Sequence, residues 1–279
     1  MKTNFVKIGM LSCLAVALFL SSCSEEDDSQ VADETTTAEL TAEQSKQSAE
    51  ADKSADAVFN LMEMAYAEVE EDDGRSASLF TDCVTITISS EGGVTFVTLD
   101  FGFGCELNNG AVVSGIINLT YGPVVAGTRN ITYVFDNFTY NSKDIAGGGT
   151  IFRERNNANG NPQSTVNKAL EITFPNGLVA DVTGTRVAEW IEGAGSGTWM
   201  DNVFLITGDR QIVFSSGFTH DALVTEALRR EATCPHFVSG VVEITRNLGT
   251  GSLDFGDGTC DNIAVLTTGN GQEIIIILN

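Results

Sequence analysis

The sequence predicts a mainly β protein: a large antiparallel β-meander, curved or twisted and barrel-like in one of its forms, with one N-terminal amphipathic α-helix. Three observations carry this expectation. Beyond Gly74 the apolar residues recur at every second position, as in "CVTITIS" and "VTFVTLDFG", which is the period of a strand with one buried face. Clusters of turn-forming residues ("NNG", "NANGNP", "PNG", "GAGSG", "GD") punctuate these runs. The connections are too short for the crossover helix that parallel neighbours require, so consecutive strands are expected to run antiparallel.

Residues 1–22 read as a lipoprotein signal peptide. Lys2 and Lys7 flank the start of an apolar run, "IGMLSCLAVALFL", and small residues follow it. The run is about 13 residues, short of the ~20 that span a bilayer as a helix. "LSSC", Leu20 to Cys23, resembles the lipobox of bacterial lipoproteins. The resemblance implies cleavage before Cys23, thioether lipidation of its sulfur and acylation of the new amino terminus. Two or more acyl chains anchor stably where a single chain attaches only marginally. "SEEDD", Ser24 to Asp28, looks like the acidic surface-export signal of lipoproteins from the Bacteroidetes; as plain composition it is a solvated acidic spacer. The expected location is the outer membrane, lipid-anchored and exposed at the cell surface, with the membrane as a partner through the anchor.

Residues 23–73 form an acidic tether followed by the helix. Residues 24–73 hold 17 acidic side chains against Lys46 and Lys53, and 74–279 hold 21 against 11 basic ones. This balance repels phosphate backbones and anionic headgroups, which argues against nucleic acid as a partner. From Ala49 onward Ala55, Phe59, Met62, Tyr66 and Val69 recur at three and four residues and share one helical face. Glu50, Asp52, Lys53, Asp56, Asn60 and Glu68 occupy the opposite, polar face, and "EEDDG" ends the helix. The apolar stripe is expected to dock on the protein's own sheet.

Residues 74–279 form a single antiparallel β domain. After the first two strands come "AVVSGIINLTY", "NITYVFDNFTY", "GGTIFRER", "ALEITF", "LVADVTGTRVAEW", "NVFLITG" and "QIVFSSG". "HDALVTEALRREATC" fits either a helix beginning at Asp221 or a strand. Strands on both sides and the lack of a glycine-type cap favour the strand.

A device occurs twice, near each end of this domain. "LDFGFGC" (Leu99 to Cys105) and "LDFGDGTC" (Leu253 to Cys260) each follow a β-patterned run that itself begins near a cysteine. This reads as a three-stranded meander used at both ends. Cys13 leaves with the signal peptide and Cys23 takes lipid, so four cysteines remain in a compartment where disulfides persist. Four allow three connectivities. Hairpin geometry favours Cys83 with Cys105 and Cys234 with Cys260, and a crossed pairing of the first with the last is the alternative. Loops closed this way are worth about 3 to 3.5 kcal/mol each in the chain-entropy model.

The same motif bears on chemistry. A kinase reading of "DFG" needs a glycine-rich loop, a strand lysine and a catalytic His-Arg-Asp, none of which occurs. Counted as a calcium loop from Asp254, the third and fifth positions are Gly256 and Gly258 where oxygen ligands belong. A looser metal site from Asp254, Asp257 and Asp261 is the remaining alternative. Against it, Phe103 stands in the first copy where the second has Asp257. No cofactor is implied.

Four stretches, the lipobox leader, "GVVEIT", "LDFGDGTCDN" and "WMDNVFLITG", resemble a group of uncharacterised, secreted or lipid-anchored β-rich proteins of the Bacteroidetes. The resemblance covers most of residues 80–279 and implies location and fold type only.

A catalytic constellation does not emerge. His220 and His236 are the only histidines, and neither has a Glu or Cys at metal-ligand spacing. His220 beside Asp221 lacks a nucleophile elbow around Ser215 or Ser216. Carboxylate pairs for glycoside hydrolysis are plentiful, yet no spacing singles one out. Trp190, Trp199, Tyr121, Tyr133 and Tyr140 are candidates for a glycan-stacking surface, though alternation of Ile131, Tyr133 and Phe135 reads as a core face. The functional expectation is a non-catalytic binding or structural module whose partner is a glycan or another envelope protein. A carrier of lipid or another amphiphile in a curved-sheet cavity is the first alternative, and an unrecognised glycan hydrolase the second.

Overall fold

The computed structural model describes residues 42–70, 78–196, 198–247 and 249–278, all within one compact unit, Ala38–Asn279. Its elements are α1 (Ala42–Glu70), β1 (Thr85–Glu91), β2 (Val94–Asp100), β3 (Cys105–Glu106), β4 (Val112–Tyr121), β5 (Thr128–Tyr140), β6 (Lys143–Glu154) and β7 (Gln163–Thr173), then β8 (Val179–Glu192), β9 (Val203–Phe214), β10 (Thr219–Glu231), β11 (Phe237–Arg246), β12 (Gly249–Asp257), β13 (Ile263–Thr268) and β14 (Glu273–Ile277). All fourteen strands belong to one antiparallel sheet, and apart from β3, which pairs with β4, their spatial order is their chain order. The sheet is open, with β1 and β14 at its edges, so the barrel-like form is not adopted.

Strand boundaries depart from the sequence reading at one instructive place. "NVFLITG" and "QIVFSSG" are one strand, β9, and "GD" lies inside it rather than at a turn. Gly208 has φ 124°, and a Cβ there would lie 2.1 Å from the Thr185 carbonyl oxygen on β8. Glycine is required by this close backbone approach, and its use inside a strand imitates a turn signal. The ambiguous stretch "HDALVTEALRRE" is β10, paired on both sides, with its register interrupted between Leu223 and Leu228 against β9 and between Val224 and Arg230 against β11. That interruption mixes the strand period and explains why a helix also fitted. A two-residue hairpin joins β5 to β6 through Asn141 (φ 48°) and Ser142 (φ 63°), the positive pair that matches strand twist.

Two apolar clusters fill the inner face. The larger joins Ala55, Val58, Phe59, Met62 and Tyr66 of α1 to Leu99, Ile117, Leu119, Tyr121, Tyr133, Phe138 and Ile151 of β2 to β6 and onward to Ile212 and Phe214 of β9. The smaller gathers Trp190, Phe204, Ile206, Leu228, Val242 and Phe255 from β8 to β12 and, among the described residues, includes none of α1. Each fully buried side chain of this size is worth ~1.5–3 kcal/mol of transfer free energy, so the helix–sheet contact is a principal source of stability.

The polar face of α1 also meets the sheet: Asp52, Asp56 and Asn60 turn toward basic strand residues, and Glu63 is buried. Leu61, Ala65 and Ala67 are buried as well, so α1 is covered around most of its circumference. The reason lies on the strands, whose inward positions are not all apolar.

Candidate functional site

Strand alternation sends neighbouring residues to opposite faces. On β9 Asp209 points out and Arg210 in; on β10 His220 points in and Asp221 out; on β8 Thr185 points out and Arg186 in. Strands β8 to β11 therefore carry cations on the inner face and carboxylates on the outer one.

The outer face holds a groove of about 500 Å³ lined by Thr183, Asp209, Gln211, Asp221, Leu223, Glu243 and Thr245. Register explains its composition. Gln211 is paired with Thr183 and Asp221, and Asp221 with Thr245, which makes one polar row across four strands. In the next row Leu223 sits between Asp209 and Glu243 and is 51% exposed. Arg210 also borders the groove, but its guanidinium is turned inward to Asp52 and Asp56. The groove thus presents carboxylate acceptors, threonine hydroxyls, one amide and an apolar centre on rigid strands. Such a set suits hydrogen bonding to a neutral, polyhydroxylated ligand.

Beneath the sheet runs a seam of ion pairs between α1 and the strands. Arg129 meets Glu70 at 2.7 Å, Lys143 meets Glu50 at 3.5 Å, and Arg153 meets Glu63 at 2.8 Å. Lys168 lies 3.7 Å from Asp56, and Arg210 Nη2 donates to Asp52 at 2.8 Å. His220 Nε2 lies 3.1 Å from Asp52 while Arg246 Nε donates to its Nδ1 at 3.0 Å. Burial alone would raise the Asp52 carboxyl, but the Arg210 guanidinium and His220 outweigh it and hold Asp52 below the usual aspartate range. Burial pushes the Lys168 ammonium down to about 8, against the attraction of Asp56 and with the repulsion of Arg210 and Arg186.

The structure places the sequence-derived candidates as follows. Cys23 lies outside the described residues. Cys83 is bonded to Cys105 and Cys234 to Cys260, with Cα atoms 5.6 and 5.8 Å apart. The repeated aspartates cap their own turns: Asp100 accepts from the Gly102 amide and Asp254 from the Gly256 amide, both at 2.8 Å. Asp257 accepts from the Thr259 amide and hydroxyl, and Asp261 from the Ile263 amide, so the three aspartates of the second copy face separate backbone donors. Among the described residues no group of three His, Cys, Asp or Glu side chains is placed to hold a metal ion. Tyr121, Tyr133, Tyr140 and Trp190 are core residues, and Trp199 packs on Trp190 and Phe204 at 6.3 and 6.1 Å between centroids.

Sequence reasoning missed the inward cations. Their signal was present: along "STVNKALEIT" and "ADVTGTRVAEW" the buried phase of the alternation runs Val166, Lys168, Leu170 and Ala180, Val182, Arg186, Ala188, with a base in the apolar series. A base at an inward position implies a buried acid opposite, and α1 is rich in acids.

No protein-family model matches the chain, and no curated protein or solved structure is found similar to it.

Proposed function

We propose that this protein is a lipid-anchored envelope or cell-surface binding module without catalytic function, held to the outer membrane through Cys23, and that a neutral glycan of the envelope occupies the groove on β8 to β11. The groove carries the reading: it collects Asp209, Asp221, Glu243, Gln211 and two threonines around exposed Leu223 on strands held by ladder hydrogen bonds on both sides. The carrier alternative calls on the inner apolar face, which α1 occupies here. The test is binding of neutral envelope polysaccharides to full-length protein in detergent, compared with the Asp209→Asn/Asp221→Asn/Glu243→Gln variant. Saturable binding that falls at least tenfold in the variant supports the reading; equal binding by both proteins overturns it. Turnover of a bound glycan by the wild type alone would reassign the same groove to a hydrolase. Anchoring is tested separately by labelled palmitate, whose incorporation must vanish in Cys23→Ala.

A further inference from the structure

The seam under α1 does not balance its charge everywhere. Five strand bases, Arg129, Lys143, Arg153, Lys168 and Arg210, each meet a helix carboxylate. Among the described residues, Arg186 and Arg230 do not. Both guanidiniums converge instead on one neutral group, the side-chain oxygen of Asn60, at 3.0 Å from Arg186 Nη2 and 2.6 Å from Arg230 Nη1. Arg186 is 3% exposed, and its Nε and Nη1 find no hydrogen-bond partner among the described residues.

Two like charges brought together in a poorly solvated place, with only an amide between them, are strongly destabilising unless a counter-charge joins them. The nearest helix acids are already committed, Glu63 to Arg153 and Asp56 to Lys168 and Arg210. We propose that Arg186 and Arg230, bridged by Asn60, form a binding site for a small inorganic oxyanion between α1 and strands β8 and β10. Guanidinium N–H groups suit oxyanions because several donors diverge from one delocalised charge. The electrostatics agree with the geometry: burial, then repulsion from Arg186, pushes Arg230 down to about 10, and the more distant pull of Glu63 and Asp56 does not offset them.

The site makes a specific demand on position 60. An aspartate there has the shape of the asparagine and supplies the missing charge, so Asn60→Asp is expected to replace the anion. The probe is inorganic phosphate, added to the full-length protein at constant ionic strength with gluconate as the bulky balancing anion. Bound ligand stabilises the folded state by mass action, and for a protein of this size a millimolar site raises the wild-type Tm by about 5 °C at 50 mM phosphate. Equilibrium dialysis should give one phosphate per chain. Asn60→Asp should melt above the wild type without phosphate and lose both the response and the bound phosphate. Should Asn60→Asp fail to fold, Arg230→Gln serves in its place and loses the same response. A wild-type Tm indifferent to phosphate, or an Asn60→Asp or Arg230→Gln protein that keeps the full response, overturns the proposal.

Discussion

The two flanks of α1 meet the sheet by different physics. On one flank Val58, Phe59, Met62 and Tyr66 join aromatic and aliphatic side chains such as Leu99, Leu119, Tyr133 and Phe138, where contact is non-directional. On the other, Asp52, Asp56, Asn60 and Glu63 meet Arg153, Lys168, Arg186, Arg210, His220 and Arg230 of β6 to β10 through donors and acceptors in fixed places. The apolar flank supplies most of the driving force, and the charged flank sets where along its axis the helix stops. A shift of one helical turn would strand several buried charges without partners.

Four measurements break or sharpen this contrast. The largest effect is expected on the apolar flank: Phe59→Ala removes a ring packed edge-on against Tyr133 at 6.1 Å and should cost about 4 kcal/mol in denaturant unfolding, alike at low and high salt. Next, Glu63→Gln takes the carboxylate from the buried Arg153 at 2.8 Å and should cost about 3 kcal/mol. A loss below about 0.5 kcal/mol there would mean that the charged flank is ornamental.

Asp52 gives the third test, through pH. Its folded pKa lies below the ordinary 3.8, so the stability it contributes is present above that value and is lost as pH falls through the folded pKa. Asp52→Asn should therefore cost about 2 kcal/mol at pH 7 and progressively less below pH 4. An unchanged gap between wild type and variant at pH 3 and pH 7 contradicts this. The smallest effect runs the other way. Lys168 titrates near 8 in the folded protein against 10.5 ordinarily, so its charged form burdens the fold below pH 8, and the burden lifts as pH rises toward 10.5. Lys168→Met, which leaves Asp56 with Arg210 at 3.4 Å, should gain about 1 kcal/mol at pH 6, and the gain should shrink above pH 8.

How much of this was legible depended on how far apart the interacting residues lie in the chain. Strands were legible because alternation is local, and the disulfides because each closes a hairpin of 22 or 26 residues. The repeated Leu-Asp-Phe-Gly was legible as a structural device because Asp100 and Asp254 perform the same local capping. The partners of Asp52 and Asn60 were not legible, because Arg210 and Arg230 lie 158 and 170 residues away. An acid on a helix reads as solvated until the base facing it is known. The groove was hidden for a related reason, since Asp209, Asp221 and Glu243 adjoin only after three strands are in register. Gly208 misled by the opposite route, a local signal whose cause is a non-local contact with Thr185.

The chain-ordered sheet also has a kinetic consequence. Apart from β3, each strand of the path pairs with the ones just before and after it, so the sheet can grow hairpin by hairpin with little loop-closure cost. The helix has no such neighbour. It precedes every strand, yet its hydrogen bonds reach Arg129, 63 residues on, and Arg230, 170 residues on. Seating of α1 should consequently be the late, cooperative event of folding. Until β9 is laid down Asp52 and Asp56 lack Arg210, and until β10 is laid down Asn60 lacks Arg230.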